Sequence, residues 1–200
     1  MKTTTIDLLR HGDVAGGVRL LGQCDDPLSE LGWAQMRSLL HSKSPPWETI
    51  ITSPLQRCSA FASELAKRYS LRLVEDPRLK EIGLGRWEGQ LISDLFAKEG
   101  GRMQRFRSHP MGAQAPGGES YQAFEERIFK AWDVLLETYA GAHCLLIAHG
   151  GSIRVILRRI LNFPVERLFQ IEVPHICLSR IQKDEGIPAR LVFHGGGLWI

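Results

Sequence analysis

Two short apolar runs in this chain, residues 5–9 and 143–148, each stop on a histidine followed at once by glycine, as "LLRHG" and "LIAHGG". A run of five or six apolar residues ended by polar and glycine punctuation reads as a buried strand. Between and around them, strand-like runs at 48–54 and 71–76 alternate with helical patterns opening near Ser29, near Ser53 and at Ser120. That alternation predicts an α/β fold with a mainly parallel sheet covered on both faces. In such sheets a ligand sits beyond the carboxyl ends of the strands, where the strand order reverses. His11 and His149 each lie just past a strand end, Arg10 precedes the first, and Arg57 follows a third. If the three strands are neighbours, two histidines and two arginines converge on one pocket.

The other elements follow from periodicity. Leu31, Ala34, Leu39 and Leu40 supply an apolar face for the helix after Ser29. Ser53, Pro54 and Gln56 fit the cap, first and third positions of a helix running to about Tyr69. Phe124, Ile128, Phe129, Trp132, Leu135 and Leu136 recur at helical spacing and predict the longest helix over 120–139. The polar segment 92–118 reads as helical pieces and loop bordering the site, inside one domain spanning 1–200. Runs 175–181 and 189–194 read as two late strands.

Composition narrows the classes. With 200 residues, 44% hydrophobic and 24% charged, the chain has the profile of a soluble globular domain. No apolar run reaches the roughly 18–20 residues of a membrane span. The early charges in "MKTTTIDLLRHG" leave no signal-peptide core, so a cytoplasmic protein with no membrane partner is expected. A net charge of +3 gives no case for nucleic acid. The 25 basic residues include only seven lysines, and arginine forks match phosphate and carboxylate oxygens. Cys24, Cys58, Cys144 and Cys177 form no C-x-x-C pair and read as reduced packing thiols, Cys58 being the one beside a site residue.

Two arginines and two histidines around one point suit a phosphoryl dianion. Arginine forks stabilise its equatorial oxygens, helix N-termini add N–H donors, and glycine after each histidine allows close approach. An imidazole can attack phosphorus, and a carboxylic acid is then needed to protonate the leaving alkoxide. Glu81, ahead of a Gly-rich turn, is the candidate acid, with Glu88 and Glu119 as alternatives. Competing phosphate chemistries lack their spacing: no Cys precedes an Arg by six residues, and no G-x-x-x-x-G-K-[ST] occurs. "GGSIR" lacks the last glycine of a serine-hydrolase elbow, and no H-E-x-x-H or D-x-D cluster points to a metal.

"LLRHG", "DDPLSELG", "TSPLQRC", "LKEIGLGRWEG", "PGGES" and "AHGGSIR", in that order, resemble the histidine phosphatase superfamily, the phosphoglycerate-mutase-like proteins. The resemblance implies a three-layer α/β/α sandwich and a phosphohistidine mechanism with no metal and no organic cofactor. Carried over, His11 is the nucleophile, Arg10, Arg57 and His149 hold the phosphoryl oxygens with Gly150, and Glu81 donates the proton. The partner implied is a small-molecule phosphomonoester. Within the superfamily, "LGQCDDPLSELGWAQM", "SPLQRC" and "PGGESYQAFEERI" are most similar to alpha-ribazole phosphatases, which remove the 5′-phosphate of alpha-ribazole 5′-phosphate in cobalamin assembly. A broad-specificity phosphatase, a phosphoglycerate mutase and a non-catalytic phospho-ligand module are the alternatives.

Where many relatives read R-H-G-E-[ST]-x-x-N, this chain has Asp13, Val14 and Gly17, so a hydroxyl and an amide are missing, and Gln23 is the candidate replacement. Glu119 reads as the residue ahead of a cap at Ser120, with substrate contact the weaker reading. His41, His109 and His143 read as solvated loop or helix-end residues, His175 as a candidate flank of the pocket, and His194 as a packed tail or a lid over the site.

Overall fold

The structure is a computed structural model that describes residues 2–39 and 44–196. Leu40 and His41 lie outside the described residues. Six strands form one sheet in the order β3-β2-β4-β1-β5-β6. They are β1 (Thr3–Arg10), β2 (Thr49–Thr52), β3 (Arg72–Glu75), β4 (His143–Ala148), β5 (Leu178–Asp184) and β6 (Arg190–Gly196). β3, β2, β4 and β1 run parallel, while β5 and β6 are antiparallel additions beside β1. This is the expected sandwich with a mainly parallel centre.

Successive side chains in a strand point to opposite faces, and the two cores divide accordingly. Ile6, Leu8, Ile51, Leu146 and Ala148 pack beneath α4 (Tyr121–Thr138) and α5 (Gly150–Leu161). Leu9, Ile50, Leu145 and Ile147 pack beneath α1 (Glu30–Arg37) and α2 (Gln56–Tyr69). Ser29 and Ser120 cap α1 and α4, accepting hydrogen bonds from the Gly32 and Ala123 amides. Segment 92–108 is one kinked helix, α3 (Ile92–Ser108). Its break falls at Glu99, immediately before a glycine pair, where the backbone leaves helical geometry.

Two local expectations are corrected, and of the two readings of His194 the packed one holds. Ser53 does not cap α2, which starts later, at Gln56. The Asp25 carboxylate, from a distant loop, accepts the Gln56 amide instead, at 2.6 Å. The first amide of α2 is thereby satisfied from within the chain. His143 is not a solvated residue. It opens β4, and its Nε2 meets Oδ2 of the fully buried Asp7 at 2.9 Å. Burial opposes ionisation of Asp7, but hydrogen bonds from His143, Arg180 and Trp47 outweigh it and hold the carboxyl below its ordinary range. His194 is no lid: it sits in β6, bonded to the Ser179 hydroxyl and to the Glu172 carbonyl. Among the described residues no helix is long and apolar enough to cross a membrane.

Candidate active site

Parallel pairing puts Arg10 beside Ala148 and Thr52 beside Ile147, so the carboxyl ends of β1, β4 and β2 are level. The ladder continues one residue further on each: the His11 amide donates to the Ala148 carbonyl, and the Ser53 amide to the Ile147 carbonyl. His11 and His149 therefore meet, with ring centroids 5.3 Å apart in an edge-on arrangement. The site is the floor of a cavity of about 480 Å³ lined by Arg10, His11, Arg57, Glu81 and Gly151.

Each side chain is held by a neighbour. His11 Nδ1 lies 2.8 Å from the Gly12 carbonyl, so Nδ1 carries the proton and Nε2 keeps its lone pair. Burial, then the Arg10 and Arg57 charges, holds His11 well below the ordinary imidazole range, which keeps it neutral. Arg10 Nη1 donates to the Val173 carbonyl at 2.6 Å, while its buried Nε has no protein partner. Arg57, almost fully buried, donates from Nη1 to the Cys24 carbonyl and from Nη2 to the Gly22 carbonyl. Its Nε donates to His149 Nδ1 at 3.3 Å. His149 must then carry its proton on Nε2, which lies 2.8 Å from the Ser53 hydroxyl. Burial, followed by Arg57, also keeps His149 neutral.

Glu81 is fixed by backbone. Its Oε2 accepts the Gly151 amide at the start of α5 at 2.8 Å, and Oε1 accepts the Ile82 amide at 3.0 Å. Behind it, Arg127 donates to the carbonyls of Arg78, Lys80 and Glu81 and pairs through two nitrogens with Glu119. Glu119 thus clamps the Glu81 loop from outside the cavity. Glu88 is likewise occupied, accepting the amides of Gln23 and Leu84. Gln23 Nε2 donates to the Glu81 carbonyl at 3.2 Å, which places it behind the acid and off the cavity wall. Gly150 begins α5, and an added Cβ there would stand 3.2 Å from Arg154 Nη1 and 3.6 Å from Arg10 Nε. Cys58 is buried under His149, and burial pushes its thiol far up, as befits a packing residue.

Two cavity residues carry more than the sequence reading gave them. Arg154 stands four residues after Gly150 on α5, one turn along the same face, and helical spacing alone would have nominated it. His175 lies with its ring centroid 5.6 Å from that of His11. Asp13, in the divergent loop, accepts the Ser29 hydroxyl and lines the same wall as Val14. Among the described residues no cluster of three or more His, Cys, Asp or Glu could hold a metal.

A neutral imidazole with a free lone pair, arginines at its flank and a carboxyl across a cavity is a site built for phosphoryl transfer. The chain belongs to the histidine phosphatase superfamily (branch 1), whose family model matches residues 6–193. A Yersinia pestis protein described as a probable phosphoglycerate mutase, GpmB, is 32% identical over 181 residues, covering 89% of this chain and 84% of that one. The fold matches a mycobacterial glucosyl-3-phosphoglycerate phosphatase at 25% identity and a TM-score of 0.83, covering 98% of this chain and 100% of that one. It also matches an Escherichia coli putative alpha-ribazole-5′-P phosphatase at 24% identity and a TM-score of 0.81, over 96% of each chain, a likeness of fold. These findings place the chain among the phosphoric monoester hydrolases and their mutase relatives.

Proposed function

We propose that this histidine phosphatase superfamily member hydrolyses a phosphomonoester through a phosphohistidine at His11, and that the substrate is alpha-ribazole 5′-phosphate. The carrying observation is the bond from His11 Nδ1 to the Gly12 carbonyl, which aims a neutral Nε2 lone pair into the cavity. Nε2 attacks phosphorus, the P–O ester bond breaks, and the leaving oxygen takes a proton from the Glu81 carboxyl. The Glu81 carboxylate then removes a proton from water as that water attacks phosphorus. The P–N bond breaks, phosphate leaves, and both His11 and Glu81 return to their starting forms. Arg10 and Arg57, which line the cavity floor, bind the equatorial oxygens. His149 Nε2–H joins them by exchanging its Ser53 partner for a phosphoryl oxygen.

The walls support an aromatic leaving group: Trp87, Phe96, Phe106 and Phe169 line the cavity above the floor. A flat heterocycle such as that of alpha-ribazole buries well against such rings. A second reading, phosphoglycerate mutase, is favoured by Arg107 and Arg154, which flank Phe169 on the same wall and suit a carboxylate.

The test is phosphate release from a panel of monoesters in EDTA, with alpha-ribazole 5′-phosphate and 3-phosphoglycerate included. The proposal expects the highest kcat/KM on alpha-ribazole 5′-phosphate and none in a His11→Ala variant. Activity retained without His11, or no hydrolysis of any monoester, overturns the phosphohistidine reading. Accumulation of 2-phosphoglycerate in place of free phosphate establishes the mutase.

A further inference from the structure

The third imidazole at the site is absent from the carry-over of family residues, and the backbone that presents it is strained. Pro174, His175, Ile176 and Cys177 form a tight turn closed by the Cys177 amide on the Pro174 carbonyl at 3.0 Å. Ile176, in its third position, has φ of 56°. That left-handed conformation is costly for a β-branched residue, and it persists only where surrounding contacts impose it. The imposing contacts are at the nucleophile: the Ile176 amide donates to the His11 carbonyl at 3.3 Å, and the Arg10 amide to the Cys177 carbonyl at 3.0 Å. The turn is therefore stitched to both residues of the Arg10–His11 pair.

The strained turn places the His175 imidazole on the cavity wall, tilted toward His11 and about one-third exposed. Asp13 Oδ1 stands 3.9 Å from His175 Nδ1. Asp13 is itself fixed, since its other oxygen accepts the Ser29 hydroxyl that caps α1. The charged and titratable groups facing His175 are Arg10, His11 and Asp13.

We propose that His175, which stands beside Asp13, is a further phosphoryl-binding residue, donating an imidazole N–H to an oxygen of the group transferred to His11. This rests on the phosphohistidine reading above, and it gives the divergent Asp13 loop a purpose. His175, from the turn after Pro174, supplies a donor to a site whose Asp13 loop lacks one. A charge-assisted hydrogen bond is worth roughly a 10- to 100-fold change in affinity for the transition state.

The experiment compares wild type with His175→Ala, His175→Asn and Asp13→Asn. Its readouts are orthovanadate inhibition, kcat and KM on p-nitrophenyl phosphate, inorganic phosphate binding by calorimetry, and thermal unfolding. The expected result is vanadate inhibition weakened about 10- to 100-fold in His175→Ala, with part recovered in His175→Asn, whose amide still donates. Asp13→Asn loses less, and its effect does not add to that of His175→Ala, because the two residues act as a pair. Unchanged vanadate inhibition and phosphate affinity in both His175 variants overturns the proposal, as does a lowered melting temperature with anion affinity intact. If wild type hydrolyses no monoester, the phosphohistidine reading fails. Phosphate binding by wild type against His175→Ala then still decides whether His175 contacts the anion.

Discussion

Arg57 Nε donates to His149 Nδ1 at 3.3 Å, and that single contact fixes which nitrogen of a fully buried imidazole carries the proton. Ser53 completes the relay by facing Nε2 at 2.8 Å. Ser53→Ala leaves the buried Nε2–H without its acceptor and is expected to destabilise the fold by about 1–3 kcal/mol. At roughly 2–4 °C per kcal/mol for a chain of this size, a scanning calorimeter resolves the loss. Phosphate affinity in this variant should not fall, because Nε2–H stays available to a phosphoryl oxygen. Arg57→Lys is expected to be worse on both counts. A single ammonium cannot serve His149, Cys24 and Gly22 while also gripping the substrate, so kcat/KM should drop by at least about 100-fold.

Stability should depend on pH through the histidines. His11 and His149 both sit well below the ordinary value of 6.5 because burial, then the nearby arginines, disfavours the charged forms. Between the folded and unfolded values the unfolded chain binds more protons, so stability rises with pH across that window. Lowering pH below about 6.5 should therefore destabilise the protein, by at most about 1.4 kcal/mol per pH unit for each histidine. Urea titrations at pH 7.5 and 5 check the sign. His11→Gln should flatten the slope, and an unchanged slope would mean that His11 titrates normally. Activity has the same logic: the neutral nucleophile should keep the acid limb of kcat/KM below pH 6.5.

Arg127 holds the Glu81 loop through three carbonyls and pairs with Glu119 at 2.7 Å, both side chains about one-fifth exposed. Arg127→Met removes these donors and leaves Glu119 half-buried without its cation. The expected cost is about 2–4 kcal/mol, with kcat falling more than KM rises, since the acid is displaced while the anion floor stays intact. Steady-state kinetics alongside denaturant unfolding separates the two effects.

The elements were readable because apolar period carries them: alternating residues of β1 and β4 feed opposite cores, and α4 follows its predicted apolar stripe. The meeting of His11 and His149 was readable for the same reason, since parallel neighbouring strands end level. What escaped depends on contacts that sequence neighbours do not encode. Asp25 caps α2 from 31 positions away, so the local Ser53-Pro54 signal misplaced the helix start. His143 looked solvated because its partner, Asp7, comes from the adjoining strand. The left-handed Ile176 leaves no trace in composition, where a glycine would have announced the turn.

Gly151 gives the sharpest test of where the acid sits. Its amide donates to Glu81 Oε2, and a Cβ added at this position would come within 2.2 Å of Glu81 Oε1, a distance no real Cβ tolerates. The obstructing atoms are the far end of a flexible side chain, so Gly151→Ala can be absorbed by swinging the carboxylate aside. The helix itself gains, because alanine is favoured over glycine by about 1 kcal/mol in a helix interior and by less near its N-terminus. The variant is thus expected to fold at least as stably as wild type in urea while its kcat on an alkyl phosphate falls about 100-fold, the usual scale of lost general acid catalysis. Glu81→Gln should show a similar kcat, and the double variant no further loss. The defect should shrink on p-nitrophenyl phosphate, whose leaving group departs without protonation. Wild-type turnover in a stable Gly151→Ala protein would remove Glu81 from the acid role.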